Sequence, residues 1–145
     1  MYNMKKIISF IICFFLFNSI IFASASTFGI KVDTKKCKVY VYEQIESNWQ
    51  LIGTRKCCVG ANGKTPKGNF TIGSKKKTFL HNEKNYDYVS YFSGKCAFHS
   101  VPRANNTYDY SSLGHKRSNG CIRLAPEDAK WIYKYCKHGT KVIIE

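Results

Sequence analysis

Apolar and polar residues alternate with a period of two through Phe28–Val32 and again through Lys38–Tyr42, where Val39 and Val41 oppose Tyr40 and Tyr42. A helix cannot keep alternate residues on one face, whereas a strand must. Asp33-Thr34-Lys35-Lys36 between the two runs is turn-like, so the pair reads as a hairpin. Trp49–Val59 is a further strand candidate. Ala61–Gly68 is dense in turn formers, and Asn69–Gly73 resumes a strand. Lys75-Lys76-Lys77 reads as a basic turn. Tyr88–Phe92 and Cys96–Phe98 are two more strand-like stretches. One helix is expected. Pro126, Glu127 and Asp128 suit its first turn, Ala129, Ile132, Tyr133 and Cys136 recur at the spacing of a buried stripe, and Gly139 ends it with Lys137 and His138 beside it. Lys141–Glu145 is a last strand. Ser100–Asn119 shows no periodicity and reads as a long surface loop, a kind of segment that often carries function. The fold class is therefore mainly β with one late helix.

The chain has 145 residues, the size of a single domain. Its N-terminus reads as an export signal occupying residues 1–25. Lys5 and Lys6 precede an apolar stretch from Ile7 to Phe22, and Ala23-Ser24-Ala25 is a small-x-small cleavage site. An uncleaved anchor is the rival reading, but the stretch is shorter than the roughly 20 residues a spanning helix needs. Membrane attachment is expected only if the signal is retained. Residues 26–145 are then the functional domain, and the protein is expected outside the cytoplasm, secreted or at the cell wall.

Cysteine usage bears on the chemistry. Of 7 Cys, Cys13 leaves with the signal and six remain. An oxidising compartment permits disulfides among them, with Cys136, on the core side of its helix, a candidate partner for a strand Cys such as Cys57 or Cys58. No zinc site is expected, because the adjacent Cys57 and Cys58 cannot easily share one tetrahedral ion and no Cys-x-x-Cys occurs.

Reactive residue types concentrate between His99 and Arg123. Ser118-Asn119-Gly120-Cys121-Ile122-Arg123-Leu124 places a Cys on a Gly-containing turn, where the N–H groups of Gly120 and Cys121 could meet a developing oxyanion. Lys116, Arg117 and Arg123 would favour the thiolate, the nucleophilic form. A nucleophilic Cys needs a base, and His99 and His115 are the candidates. On these grounds alone the signal is weak, since a lone Cys in a secreted protein is more often half of a disulfide.

The segment Ser118–Leu124 resembles the signature of the L,D-transpeptidases, the YkuD-type catalytic domain, which runs Ser/Thr-His-Gly-Cys-hydrophobic-Arg. Phe98-His99-Ser100 matches the family's upstream His followed by Gly or Ser, and Leu113-Gly114 its Leu-Gly. Val59-Gly60 and Thr65-Pro66-Lys67-Gly68-Asn69-Phe70-Thr71-Ile72 match its Gly…Thr-Pro-x-Gly-x-Phe-x-Ile segment. Asp128–Tyr133 and Gly139–Val142 are similar to its closing helix and strand. The resemblance spans about residues 28–144 and implies an L,D-transpeptidase-like β-sandwich with a long loop before the catalytic Cys. Two departures stand out. Asn119 replaces the His two residues before the Cys, and 18 residues separate His99 from Ser118, slightly more than usual. Loops tolerate such insertions.

The resemblance implies acyl transfer through a thioester without a metal or cofactor. Cys121 would attack a tetrapeptide stem of peptidoglycan, His99 would take its proton or pair with it as an ion, and the Ser100 carbonyl would orient the imidazole. N–H groups around Asn119, Gly120 and Cys121 would hold the oxyanion. Ser118 belongs to the same binding turn, and Arg123 is either a substrate contact or half of a structural ion pair. Peptidoglycan cross-linking is the expected outcome. An L,D-carboxypeptidase of the same fold, or a non-catalytic cationic wall-binding module, are the alternatives. Carbapenem-type β-lactams are implied inhibitors. The formal charge of +14, or +12 after loss of residues 1–25, fits attraction to anionic wall polymers. No nucleic-acid partner is expected of an exported chain lacking any recognisable nucleic-acid motif. Nothing in the sequence demands more than a monomer.

Overall fold

A computed structural model describes residues 27–145. The expected signal, residues 1–25 with Cys13, lies outside them. Within the described residues are twelve strands and one α-helix. The first hairpin forms as the alternation predicts. β1 (Thr27–Asp33) pairs antiparallel with β2 (Lys38–Ile45), with Ile30 opposite Val41 and Val32 opposite Val39. Asp33 closes the turn, its Oδ1 accepting the N–H groups of Lys35 and Lys36 at 2.9 Å each.

The long β3 (Asn48–Gly60) links two halves of one folded-over sheet. Most of its length pairs with β2. Its last residues instead pair with β11 (Ile122–Leu124) and β10 (Lys116–Ser118). The first half is completed by β4 (Gly68–Thr71) and β12 (Lys141–Ile144), with β12 parallel to β1. The second half continues from β11 through β7 (Cys96–Ser100) to β6 (Lys84–Ser93), with β5 (Lys75–His81) on β6. β8 (Arg103–Ala104) and β9 (Thr107–Tyr108) finish it.

One core holds the sandwich together. Ile30, Val32, Val39 and Val41 of the first half share it with Phe98, Ile122 and Leu124 of the second. Each is essentially inaccessible, and burying such a side chain contributes roughly 1.5–3 kcal/mol relative to leaving it exposed. The helix α1 (Pro126–Tyr135) packs against β6 and β7. Ala129 and Ile132 are buried on its inner stripe, and Cys136 just beyond it is equally buried.

Two regions depart from expectation. Lys75-Lys76-Lys77 opens β5 rather than forming a turn. Among the described residues β5 pairs only with β6, and a lysine-rich sequence suits such an edge because charge discourages further strand pairing. The segment after Ser100 is not structureless. Asn105 and Asn106 both adopt left-handed conformations, φ 47° and 61°, and turn β8 into β9. Two consecutive left-handed residues are what a tight two-residue hairpin requires, and Asn tolerates them.

The six cysteines of the described residues are free thiols. The candidate bridge from Cys136 to Cys57 or Cys58 is therefore not formed. Cys136 ends the helix near Lys75, whereas Cys57 lies against the β1–β2 turn, its N–H donating to the Cys37 carbonyl at 2.9 Å.

Candidate active site

The parallel pairing of β7 and β11 builds the site. Arg123 sits opposite His99, and Ile122 opposite Phe98. Phe98 and Ile122 are buried in the core, and because side chains alternate along a strand, His99 and Arg123 take the other face. Cys121, immediately before β11, lies on that face too. His99, Cys121, Arg123, Ser118 and Asn119 line one cleft of about 570 Å³.

His99 is 2% exposed. Its ring stands nearly perpendicular to those of Phe79 and Tyr86, with centroids 5.4 and 4.9 Å away. Its Nδ1 lies 2.7 Å from the Ser100 carbonyl. A carbonyl only accepts, so Nδ1 carries the proton and Nε2 is left with a lone pair. Burial, with a smaller contribution from the Arg123 charge, lowers the imidazole pKa to about 4. Ser100 is itself locked. Its hydroxyl accepts the Asp87 N–H and donates to the Val101 carbonyl, both at 2.8 Å.

The Cys121 thiol approaches the Lys95 carbonyl at 3.6 Å. Burial pushes its pKa up, while the Ala97 N–H and Arg123 pull the other way. Lys116 and Arg117, expected to favour the thiolate, are exposed on β10 and do not line the cleft. Desolvation therefore outweighs positive charge here. Both shifts favour the neutral thiol and the neutral imidazole over thiolate and imidazolium.

The turn before Cys121 is held from several sides. The Ser118 hydroxyl accepts the Gly120 N–H at 3.1 Å and donates to the Cys121 carbonyl. The Gly120 N–H is thus directed at Ser118. The Gly120 carbonyl accepts from the Thr65 hydroxyl at 2.9 Å. Gly120 has φ 127°, and a Cβ there would stand 2.9 Å from Cys96 Sγ and 3.0 Å from the Lys64 carbonyl. Asn119 is exposed, its Oδ1 lying 3.4 Å from Lys64 Nζ.

Arg123 lies over the Tyr86 ring, 5.8 Å from its centroid. Its Nε is buried without a hydrogen-bond partner among the described residues, and no carboxylate there pairs with it. The remaining histidines and tyrosines around the cleft separate clearly. His115 is exposed outside the cleft, and His81 is exposed at its rim. Tyr86 and Tyr91 line the cleft, whereas Tyr88 packs towards Tyr133 of α1 and Tyr110 is exposed.

Sequence reasoning passed over Phe79, Lys95, Cys96 and Asp87. The Asp87 carboxylate accepts from Thr78 at 2.7 Å, from Arg103 at 2.8 and 3.1 Å, and from Tyr108 at 2.7 Å. These donors hold its pKa down to about 2. It ties the β8–β9 hairpin to the strand that carries Tyr86.

Comparison with known proteins agrees with this architecture. Residues 27–144 match the model of the YkuD family, the L,D-transpeptidase catalytic domain. The Bacillus subtilis protein named "Putative L,D-transpeptidase YciB" is 30% identical over 124 residues, covering 79% of this chain and 64% of the relative. A solved structure from Clostridium acetobutylicum, described as a fused Zn-dependent amidase/peptidase/peptidoglycan-binding domain-containing protein, is 33% identical with a TM-score of 0.68, over 82% of this chain and 52% of that one. L,D-transpeptidase 3 of Mycobacterium tuberculosis, solved with a faropenem-derived adduct, shares the fold with a TM-score of 0.66 at 19% identity, over 83% of this chain and 60% of its own. The chain thus spans about half to two thirds of the length of these proteins. With the family model matched almost from end to end of the described residues, this chain belongs to the YkuD family of L,D-transpeptidase catalytic domains.

Proposed function

We propose that this protein is an exported cysteine L,D-transpeptidase that cross-links peptidoglycan. The observation that carries the reading is the shared cleft of Cys121 and a buried, neutral His99 whose Nδ1 is pinned by the Ser100 carbonyl. A free Nε2 lone pair is what a general base needs, and family membership supplies the reaction class.

In the acylation step, His99 Nε2 takes the Cys121 proton as Sγ attacks the carbonyl before the terminal D-residue of a tetrapeptide stem. The carbonyl oxygen takes up the electron pair and is stabilised by backbone N–H at the Cys121 turn. Collapse of the intermediate expels the terminal D-amino acid, whose amine takes the proton from His99. A second stem's amine then attacks the thioester and restores the thiol. The unpaired Arg123 Nε at the cleft supports a charged contact to a substrate carboxylate. β-Lactams are proposed to acylate the same sulfur, and the neighbour holding a faropenem-derived adduct supports this. Export through residues 1–25 would bring the cationic domain to the wall.

Incubation with a defined disaccharide-tetrapeptide, followed by mass spectrometry, tests the reading. Cross-linked dimer is expected. Tripeptide alone would make the protein an L,D-carboxypeptidase. Unchanged substrate would favour a wall-binding module.

A further inference from the structure

We propose that Thr65 is a positioning residue for acyl transfer, its buried hydroxyl fixing the Gly120–Cys121 peptide so that the Cys121 N–H faces the oxyanion. The inference rests on Cys121 being the nucleophile. It gives a role to Thr65-Pro66, which by composition reads as a turn.

Thr65 lies between the short helical turn Ala61–Gly63 and β4, far from Cys121 in sequence, and is 2% exposed. A hydroxyl has one proton to give. The Gly60 N–H donates to Thr65 Oγ1 at 2.7 Å, so the hydroxyl proton is free for its other neighbour, the Gly120 carbonyl at 2.9 Å. The direction of the second bond is thereby fixed by the first.

A trans peptide is planar, and its C=O and N–H point in opposite directions. Holding the Gly120 carbonyl towards Thr65 therefore turns the Cys121 N–H away from Thr65. The Gly120 N–H is already directed at Ser118 Oγ, and Ser118 Oγ donates to the Cys121 carbonyl. Thr65 and Ser118 together hold the peptide units on both sides of the nucleophile's nitrogen. The Cys121 N–H is then the donor presented to a tetrahedral intermediate formed on its own sulfur.

The backbone is shaped for this contact. A Cβ on Gly60 would stand 2.5 Å from the Thr65 nitrogen. Only a glycine lets the Thr65 backbone approach so closely. Gly120, with φ 127°, places its carbonyl where an L side chain would be strained.

The test uses the full chain and two substitutions. Thr65→Val keeps the shape and removes the hydroxyl, and Thr65→Ser restores the hydroxyl. With a carbapenem as probe, Thr65→Val should lower the limiting acylation rate about 10- to 100-fold, part of what loss of a whole oxyanion donor costs. Its initial non-covalent affinity should be unchanged, and Thr65→Ser should recover most of the rate. A wild-type rate in Thr65→Val, equal impairment in Thr65→Ser, or a loss confined to initial affinity would overturn the proposal. A second readout needs no reaction. In ¹H–¹⁵N spectra of the same variant, the Gly60 and Cys121 amides should shift, and unchanged amides would also overturn it. If the wild type forms no adduct, or Cys121→Ala still forms one, it is the nucleophile assignment that fails, and the amide spectra still decide whether Thr65 places the peptide.

Discussion

The His99 Nδ1 donates its proton to the carbonyl of the next residue, Ser100, at 2.7 Å. That bond fixes the tautomer, and burial keeps the ring neutral with a pKa of about 4. The consequence for stability has a definite sign. In the unfolded chain the imidazole titrates near 6.5, so between there and about 4 the unfolded state binds the extra proton. The stability tied to neutral His99 is complete above the unfolded value and is lost as pH falls through this window, on the order of 3 kcal/mol in all. Urea titrations of wild type and His99→Gln should show a steeper fall for wild type between these pH values. Parallel curves would contradict the burial of a neutral ring.

The same lowered pKa predicts the acid limb of acylation. The base remains unprotonated as pH falls from neutrality towards about 4, so the rate of β-lactam acylation should hold through mildly acidic pH and drop only there. A drop centred near the ordinary histidine value would show that the imidazole is more solvated than its surroundings indicate.

Gly120 should tolerate no side chain. Gly120→Ala combines a φ of 127° with contacts of 2.9 Å to Cys96 Sγ and 3.0 Å to the Lys64 carbonyl. The turn must shift, and the acylation rate should fall at least about 100-fold, as when an oxyanion donor is misplaced. Stopped-flow acylation kinetics measure this, and a rate near wild type would contradict the described turn.

Asp87 is a structural hub, joined by side-chain hydrogen bonds to Thr78, Arg103 and Tyr108. Asp87→Ala leaves these donors unpaired and should cost on the order of 2 kcal/mol, read from the urea midpoint. A stability within about 0.5 kcal/mol of wild type, the range of an ordinary surface change, would contradict that role.

Thiol reactivity should divide along burial. Cys57 and Cys136 are fully enclosed, and burial pushes Cys136 up to about 12. Cys96 and Cys121 are partly exposed in the cleft. A maleimide applied to the native, reduced protein should label the cleft thiols, and the core thiols only after unfolding. Peptide mapping reads the sites, and native labelling of Cys57 or Cys136 would contradict the packing.

Local chemistry made much of the fold legible. The alternation around Val39 and Val41 marks β2, and the stripe from Ala129 to Cys136 marks α1, because each period reports one buried face. His99 and Cys121 were legible through the resemblance, and the structure brings both to one cleft. Lys75–Lys77 was not legible as a strand, because three charges in a row carry no apolar alternation and the strand is defined by its pairing with β6. The Asn105-Asn106 turn was lost because its flanking strands are only two residues long. The Thr65–Gly120 bond joins residues 55 positions apart, and Asp87 gathers donors from three strands. No local pattern encodes such contacts, since they exist only once the strands are assembled.

The chemistry proposed for the cleft depends on Cys121 being the nucleophile. Intact-mass and peptide-mapping analysis of the reduced protein after carbapenem exposure tests it most directly. A single covalent adduct is expected, mapped to the tryptic peptide Ser118–Arg123 and absent from Cys121→Ala. An adduct that persists undiminished in Cys121→Ala, or none on the wild type, would contradict it.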